Sequence, residues 1–336
     1  MSNLAMMMGL GSAAGGVNVA DVFSTTIYTG NATADTKITT GVDLNTNGGL
    51  LWTKKRSASA DHYLFDTDYA FGGLLSGIYS YRLKTNDATS AGMESNALTS
   101  FDTDGFTIST NGAVNGSGST YVSWNFVQSK GFFDVVHYDG NGVSGRAIDH
   151  NLNSDVGMII VKSTTLNSTS WRVFHRSLGA TKFVTLNSTA AEGTSSSYWA
   201  DTEPTSTQFT IGNVNDMNNA SYKYVAYLFA HNEDLIQCGT YTGTGSSNSI
   251  SLGFQPQWVM IKRTNSTQDW LIVDNVRGIA DEGVSGDKLL FPNISQAETT
   301  DDRVSFGADG FSVNSTDTLV NSSGSTYIYM AIKAED

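Results

Sequence analysis

The sequence is poor in cysteine, proline and charge, and these shortages exclude several classes of protein. Its 336 residues include one cysteine, Cys238, so no intramolecular disulfide can form and a disulfide-stapled secreted scaffold is excluded. Only 3 prolines occur, and no stretch reads as a Pro-rich linker. No window approaches the roughly 18 apolar residues that a membrane-spanning helix needs.

Charged residues are few, and most of them are acidic. Charged residues make up 15% of the chain, and 19 basic against 32 acidic residues give a net charge of -13. This balance disfavours a phosphate-binding surface and a basic membrane anchor, so we expect neither a nucleic-acid partner nor membrane insertion. The opening stretch, MSNLAMMMGLGSAAGG, has no Lys or Arg and is interrupted by glycines. We therefore interpret residues 1–21 as a docking arm rather than a signal segment.

The residues that are abundant favour strands and turns. The chain is 39% hydrophobic and 11% aromatic, with 34 glycines and many Ser, Thr and Asn residues between short apolar runs. Turn signals such as DGNG, TGTG and NGSG suit hairpin positions that need positive φ. A chain of this length and composition can bury substantial cores.

The most informative feature is an internal repeat. The runs TYVSWNF, KYVAYLF and TYIYMAI nearly coincide, and a shared Asn precedes each of them. Both sets recur at intervals of 103 residues: Tyr121, Tyr224 and Tyr327, and Asn115, Asn218 and Asn321. A period near one hundred residues matches a whole domain rather than a solenoid or propeller unit.

The first half of the unit repeats as well, in the tyrosines of IYTGNA, HYDGNG and TYTGTG and in a lysine that follows an apolar strand. These residues are Tyr28, Tyr138 and Tyr241, and Lys54, Lys162 and Lys262. The repeat predicts module 1 at residues 22–130, module 2 at residues 131–234 and module 3 at residues 235–336. Because the linkers are short, we expect the modules to keep a fixed register.

Alternation of apolar residues predicts strands throughout each unit. In the last strand Val122, Trp124 and Phe126 share one face, as do their counterparts in the other two copies, and we assign that face to the core. Seven or eight short strands in about 100 residues fit a two-sheet sandwich. The predicted fold is all-β, with three tandem antiparallel β-sandwich modules, jelly-roll-like or Ig-like, after a short arm.

Several of these strings resemble a known family. FFDVVHYDGNG, WRVFHRSLGATKFVTLNST, GFQPQWVMIKRT and NSSGSTYIYMAI are similar to the repeated β-domain of an uncharacterised family of structural proteins from tailed phages of marine bacteria. The resemblance covers nearly all of residues 22–334. It implies a component of a phage particle, and it carries no catalytic motif and no assigned ligand residues.

The residues themselves contain no motif for catalysis, metal binding or a cofactor. The five histidines form no HExxH or HxH spacing, and no GxSxG or Walker A pattern occurs in a strand-to-helix context. Asp102, Asp104 and Asp309 offer oxygen atoms to calcium, but an Asp-Gly turn explains them better. We therefore predict no catalytic residue, no metal ligand and no cofactor.

Two repeated residue types and one aromatic pair remain as candidates, and the repeated asparagines Asn115, Asn218 and Asn321 are assigned a structural role. The repeated lysines mark either a shared groove or strand ends whose stems cover apolar surface, and the second is favoured. For the repeated tyrosines, packing inside a module is favoured over an intermodule contact. Tyr198 and Trp199 stand in the polar stretch GTSSSYWADTEP, and we assign them as binding residues displayed on a loop, with packing on their own module as the alternative.

Together these observations predict a non-enzymatic structural protein of a virion, assembled in the host cytoplasm and exposed as a tail-fibre or host-attachment component. The arm would dock on other virion proteins, and a homotrimer is expected from the role. A head decoration or head-fibre protein is the close alternative. An adhesive module that binds host surface glycan or protein is a second class, and a glycan-degrading enzyme has the least support.

Overall fold

A computed structural model describes residues 17–71, 78–279, 286–314 and 316–335. In these residues the fold is all-β and of sandwich type, with every strand pairing antiparallel, which confirms the predicted fold class. The first sixteen residues of the predicted arm lie outside the described residues. The last part of the arm enters helix α1, where Val19 and Val22 are buried.

The end of the arm and the described part of the first module range contain nine strands and three one-turn helices. They are α1 (Val19–Val22), β1 (Phe23–Thr29), β2 (Thr36–Thr39), α2 (Leu44–Asn47), β3 (Gly49–Lys55), β4 (His62–Asp66), β5 (Tyr79–Lys84), β6 (Gly92–Ser95), β7 (Leu98–Asp102), β8 (Gly105–Ile108), α3 (Gly112–Asn115) and β9 (Thr120–Val127). A large sheet has the order β1-β9-β3-β4-β5-β6, and a small sheet has the order β2-β8-β7.

The second module range repeats this plan. Its elements are β10 (Phe133–Asp139), β11 (Arg146–Asp149), β12 (Val156–Ser163), β13 (Arg172–His175), β14 (Lys182–Thr185), β15 (Gly193–Thr194), α4 (Ser196–Trp199), β16 (Gln208–Ile211), α5 (Asn215–Asn218) and β17 (Lys223–Ala230). The large sheet has the order β10-β17-β12-β13-β14-β15, and β11 pairs with β16 in the small sheet.

The third module range repeats it again, with a shorter large sheet. Its strands are β18 (Ile236–Thr242), β19 (Asn248–Ser251), β20 (Pro256–Arg263), β21 (Trp270–Asp274), β22 (Asp287–Leu289), β23 (Thr299–Asp301), β24 (Val304–Gly307), β25 (Gly310–Val313) and β26 (Thr326–Lys333). The sheets have the orders β18-β26-β20-β21, β19-β25-β24 and β22-β23. Each of these sheets draws its strands from one predicted module range.

Glycine accounts for the Asp-Gly turns between β7 and β8 and between β24 and β25. Gly105 and Gly310 have φ values of 152° and 159°. A Cβ atom at either position would lie 2.0 Å from the carbonyl oxygen of Ile38 or Ile250 on the neighbouring strand. The close approach of strand to strand therefore requires glycine here.

The large sheet of module 3 is buried on both faces. Tyr327, Tyr329 and Ala331 of β26 belong to a core shared with the small sheet of the same module. The alternate residues Ile328, Met330 and Ile332 belong instead to the core that runs through modules 1 and 2. The face that the sequence assigns to the module's own core is therefore the intermodule face, because alternation identifies a buried face but not what covers it.

Aromatic contacts show the same use of this face in the other two modules. The ring centroid of Phe126 in β9 lies 5.4 Å from that of Phe229 in β17 and 6.1 Å from that of Trp258 in β20. One residue of each module thus meets at a common point, where the three large sheets pack together.

The modules form a closed ring rather than a row of beads. One backbone hydrogen bond recurs at all three junctions, from the loop after the fifth strand of one module to the residue that follows the repeated lysine strand of the next. The donor and acceptor pairs are Ala91 N to Thr164 O (2.9 Å), Glu192 N to Thr264 O (2.7 Å) and Glu298 N to Arg56 O (3.0 Å). Equivalent head-to-tail contacts that return to the first unit are the mark of cyclic symmetry, here approximated within one chain.

Candidate functional site

The repeated lysines lie in the intermodule junctions. Lys54, Lys162 and Lys262 are at most 1% exposed, and each ammonium group faces a backbone carbonyl of the neighbouring module. The pairs are Lys162 Nζ to Ala88 O (3.0 Å), Lys262 Nζ to Thr189 O (3.1 Å) and Lys54 Nζ to Ser295 O (3.5 Å). Burial lowers the pKa of each lysine to about 8. The repeated lysine therefore joins two modules rather than lining an open groove.

The repeated tyrosines pack inside their own modules. Tyr121, Tyr224 and Tyr327 stack on the tyrosines of the first strand, with ring centroids 5.1, 5.4 and 5.0 Å apart. Each hydroxyl also donates a hydrogen bond to a backbone carbonyl nine residues upstream and accepts one from a backbone N–H. These contacts fix the turn that precedes the last strand.

The repeated asparagines tie the loop between the first two strands of each module to this turn. Asn218 is fully buried; its Oδ1 accepts from Asn141 N at 2.8 Å, and its Nδ2 donates to Val143 O at 2.8 Å and to Gly212 O at 2.9 Å. Asn115 and Asn321 make the corresponding bonds in modules 1 and 3. The position needs an amide because it must accept and donate at once.

Replacing Asn218 with alanine is expected to lower the free energy of unfolding by about 2–3 kcal/mol, because buried backbone groups lose their partners. Urea unfolding followed by tryptophan fluorescence measures the change. Asn219→Ala is the matched control, since the side chain of Asn219 hydrogen-bonds only at the surface. Equal stability of the two variants would contradict the assigned role.

A second repeated position supplies an indole N–H donor to two of the three junctions and is occupied by histidine in module 1. The indole Nε1 atoms of Trp171 and Trp270 donate to the carbonyls of Lys84 (2.9 Å) and Thr185 (3.0 Å) in the adjacent module. His62 takes this position in module 1, and its Nδ1 accepts from Trp52 Nε1 at 3.1 Å. Burial and the charge of Lys54 hold the pKa of His62 well below its ordinary value. Its Nε2 has no hydrogen bond of ordinary geometry.

A third repeated position makes a different hydrogen bond at each junction. Asp66, His175 and Asp274 end equivalent strands, and each contacts the last strand of the neighbouring module. Asp66 accepts from the Tyr227 hydroxyl (2.9 Å), Asp274 accepts from Trp124 Nε1 (3.0 Å), and His175 Nε2 lies 3.0 Å from Tyr329 O. Burial lowers the pKa of His175 to about 4, so the ring is neutral and donates from Nε2.

At the junction of modules 1 and 2 this position opens onto a cleft of about 440 Å³. His137 Nε2 lies 2.9 Å from Asp66 Oδ1, so the buried carboxylate joins the cleft to Tyr227 in the interior. Burial lowers the pKa of His137, but the hydrogen bond and charge of Asp66 outweigh it and raise the pKa above its ordinary value. The cleft is lined by Asp68, Tyr69, His137, Tyr138, Asp139, Thr164, Lys223 and Tyr224.

One family model matches residues 18–336, and its description is "Domain of unknown function (DUF7483)". The chain belongs to this family. The match runs through all three module ranges, so the DUF7483 unit corresponds to the whole closed ring rather than to one sandwich. No curated protein is significantly similar to the chain.

Trp199 corrects one prediction made for this DUF7483 chain. It ends helix α4 and is 1% exposed, and its ring packs edge-on against Phe174 with centroids 5.7 Å apart. Tyr198 is half-buried between Phe183, at 4.1 Å between centroids, and the guanidinium of Arg172, at 4.8 Å. Trp199 is therefore a core residue and not a displayed contact, because the helical turn folds it back under its own sheet.

The acidic residues singled out in the sequence have local partners. Asp102 accepts from Ser100 and Thr107, and Asp104 forms an exposed ion pair with Lys37 at 2.7 Å. Within the described residues no three His, Cys, Asp or Glu side chains converge as a metal site would need. In the same part of the chain no helix is long and apolar enough to cross a membrane.

The sequence reasoning missed the residues that shape the cleft and its junction, above all Asp66 and His137. Aligning HYLFD, WRVFH and WLIVD would have placed Asp66, His175 and Asp274 in one column at the end of an apolar strand. A polar side chain at the end of a buried strand needs a hydrogen-bond partner. This column therefore indicated a polar contact with another element. His137 carries no such signal, because Ile27 and Thr240 occupy its position in the other modules.

Proposed function

We propose that the protein is a non-enzymatic structural component of a phage virion, exposed as a tail appendage that takes part in attachment to the host. The observation that carries the proposal is the closed ring. The buried polar groups that could carry chemistry join modules instead. They are the repeated lysines and the residues Asp66, His175 and Asp274. A ring whose modules are joined in this way is suited to presenting a surface on a particle. The resemblance to phage structural proteins agrees with this role.

The direction of the strands separates the cleft from the point where the predicted arm joins module 1. The arm leads into Phe23, which pairs with Phe126 at the end where the three modules meet. Asp139 and Lys223 pair at the opposite end of their strands, six residues from the Phe133–Phe229 pair, a separation of about 20 Å along the strand. If the arm docks the protein at this end, the cleft lies at the far end of the strands. The expected homotrimer stays a prediction, although one chain already holds three similar units.

Immunogold labelling of purified particles tests the proposal, with antibodies raised against the full chain. We expect gold at the tail. Label confined to heads would replace the tail assignment by head decoration, and particles without label would overturn the virion assignment. A chain lacking residues 1–16 should fold normally but fail to join particles, and its normal incorporation would remove the arm from the proposal.

A further inference from the structure

An exposed strip of aromatic and thioether side chains crosses the outer strands of module 1. Tyr79 is 49% exposed and Met93 is 53% exposed. Tyr81 lies directly opposite Met93 in the β5–β6 pair, and Tyr79 lies two residues along the same face. Large apolar groups that lie together on the surface of a folded domain usually mark an interaction site.

The strip continues into the cleft at the junction of modules 1 and 2. The ring centroid of Tyr69 lies 5.2 Å from that of Tyr81 and 5.6 Å from that of His137. With one two-residue step of a strand from Tyr79 to Tyr81, the strip spans on the order of 17 Å. Its inner end is rimmed by Asp68, Asp139 and Lys223, so an apolar track ends among groups that accept and donate hydrogen bonds.

The other two modules show that the fold does not require this strip. The register of the outer strands aligns the Tyr81–Met93 pair with Lys182–Thr194 in module 2 and Lys288–Thr300 in module 3. A lysine and a threonine therefore serve at the same place in the same sheet. The exposed aromatic and thioether pair is an addition specific to module 1.

We propose that the strip of Tyr79, Tyr81 and Met93, with the cleft at its end, binds a neutral saccharide chain. The inference rests on the proposed attachment function and names its ligand class. Sugar rings present apolar C–H faces that pack on aromatic and thioether groups, and their hydroxyls donate to carboxylates and accept from an ammonium group. One molecule thus satisfies both parts of the surface.

Charge favours a neutral chain over an anionic one. The net charge is -13, and Asp68 and Asp139 at the rim outnumber Lys223, which already pairs with Asp139 at 2.7 Å. Burial and the charge of Asp66 raise the pKa of Asp68. Sulfated or uronic-acid polymers would be repelled.

The test uses the full chain and soluble neutral oligosaccharides of glucose, mannose, galactose and N-acetylglucosamine, from disaccharides to hexasaccharides. Labelling the methionine methyl groups with carbon-13 gives an NMR signal for Met93, assigned with Met93→Thr. We expect at least one oligosaccharide series to move the Met93 signal selectively. The double variant Tyr81→Lys, Met93→Thr, which copies the other modules, should weaken binding at least about tenfold in calorimetry without changing the melting temperature.

Lys288→Ala is the matched control, because it alters the equivalent strand position of module 3 and should leave affinity unchanged. Undiminished binding by the double variant, or no binding of any oligosaccharide, would overturn the saccharide inference. Crosslinking of a photoreactive residue at position 79 to another virion protein would overturn it too, by making the strip an assembly contact. All three results are independent of where immunogold places the protein, so failure here is distinguishable from failure of the proposed function.

Discussion

Replacing Arg277 with alanine is expected to lower the free energy of unfolding by about 3–5 kcal/mol, because it leaves a buried carboxylate without its counter-charge. Both side chains of the Arg277–Asp274 pair are 0% exposed, and Nε lies 2.5 Å from Oδ2. The same carboxylate accepts from Trp124 of module 1, so the pair stands at the junction that closes the ring.

Arg277 also connects to a second carboxylate at this junction. Its Nη1 lies 3.3 Å from Glu298 Oε2, and Glu298 pairs with Arg56 of module 1 through two hydrogen bonds of 2.8 Å. The guanidinium further lies 5.4 Å from the ring centroid of Trp124. Loss of Arg277 is therefore expected to loosen the contact between modules 1 and 3 before the other junctions.

Urea unfolding measures the effect, with hydrogen exchange of Trp124 and its neighbours as a local readout. In the double variant Arg277→Met, Asp274→Asn we expect recovery of much of the lost stability, because no unpaired charge stays buried. Lys223→Ala is the control, since its partner Asp139 is exposed and such pairs contribute about 0–1 kcal/mol. A loss below 1 kcal/mol in Arg277→Ala would show that the pair does not hold the ring closed.

Acid is expected to destabilise the ring between about pH 6.5 and pH 4, through histidines buried in neutral form at two junctions. His175 joins modules 2 and 3, and burial lowers its pKa to about 4. His62 is buried where module 1 meets Phe291 and Arg277 of module 3, and its pKa is also held well below the ordinary value. The unfolded chain binds a proton on each below pH 6.5 while the folded chain does not, so stability is present above that pH and is lost as the pH falls.

For His175 the shift corresponds to about 3 kcal/mol lost by pH 4. His137 acts in the opposite direction, because its raised pKa contributes stability below pH 6.5 that disappears as the pH rises through the folded value. Charged neighbours strengthen the effect at the two neutral histidines: Arg176 and His231 act on His175, and Lys54 and Arg277 act on His62.

Melting temperatures from pH 8 to pH 4 test this prediction. His175→Gln, which keeps a donor for Tyr329 O, should flatten the acid side of the profile. His231→Gln is the control, since this residue is only half-buried and its ring makes a single hydrogen bond, accepted at Nδ1 from Cys238 N at 3.2 Å, so it should change the profile less. An unaltered acid slope in His175→Gln would assign the acid loss to carboxylates instead.

The repeat was enough to find most of the local structure. Spacings of 103 residues located the last strand of each unit and the residues around it, and Tyr224 and Asn218 lie where a structural role would place them. The Asp-Gly turn was also readable, because only glycine tolerates the close approach at Gly105. Such features depend on interactions between residues near in sequence or on a strict backbone requirement.

The candidate site was not readable in this way. The cleft brings together Tyr69 of module 1 and His137 of module 2, whose side chains meet only because these two modules pack against each other. Trp199 was misplaced because a polar surrounding sequence does not report the direction in which a helical turn points its last side chain. The sequence favours a plain strand end at Lys162, because its two partner residues, Ala88 and Thr169, lie in loops that the sequence does not relate to it.

The sequence by itself determined an all-β chain of three similar units, their strands and the residues that brace the turn before each last strand. The reason is that alternation of apolar residues and turn-forming residues act locally, and the sequence repeats both patterns three times. Only the tertiary structure decided that the face carrying Trp124 and Phe126 packs on other modules, and that the units close into a ring. The physical reason is that hydrophobic burial has no direction: an apolar face specifies that it will be covered, and the shape and spacing of all three sheets together decide by what.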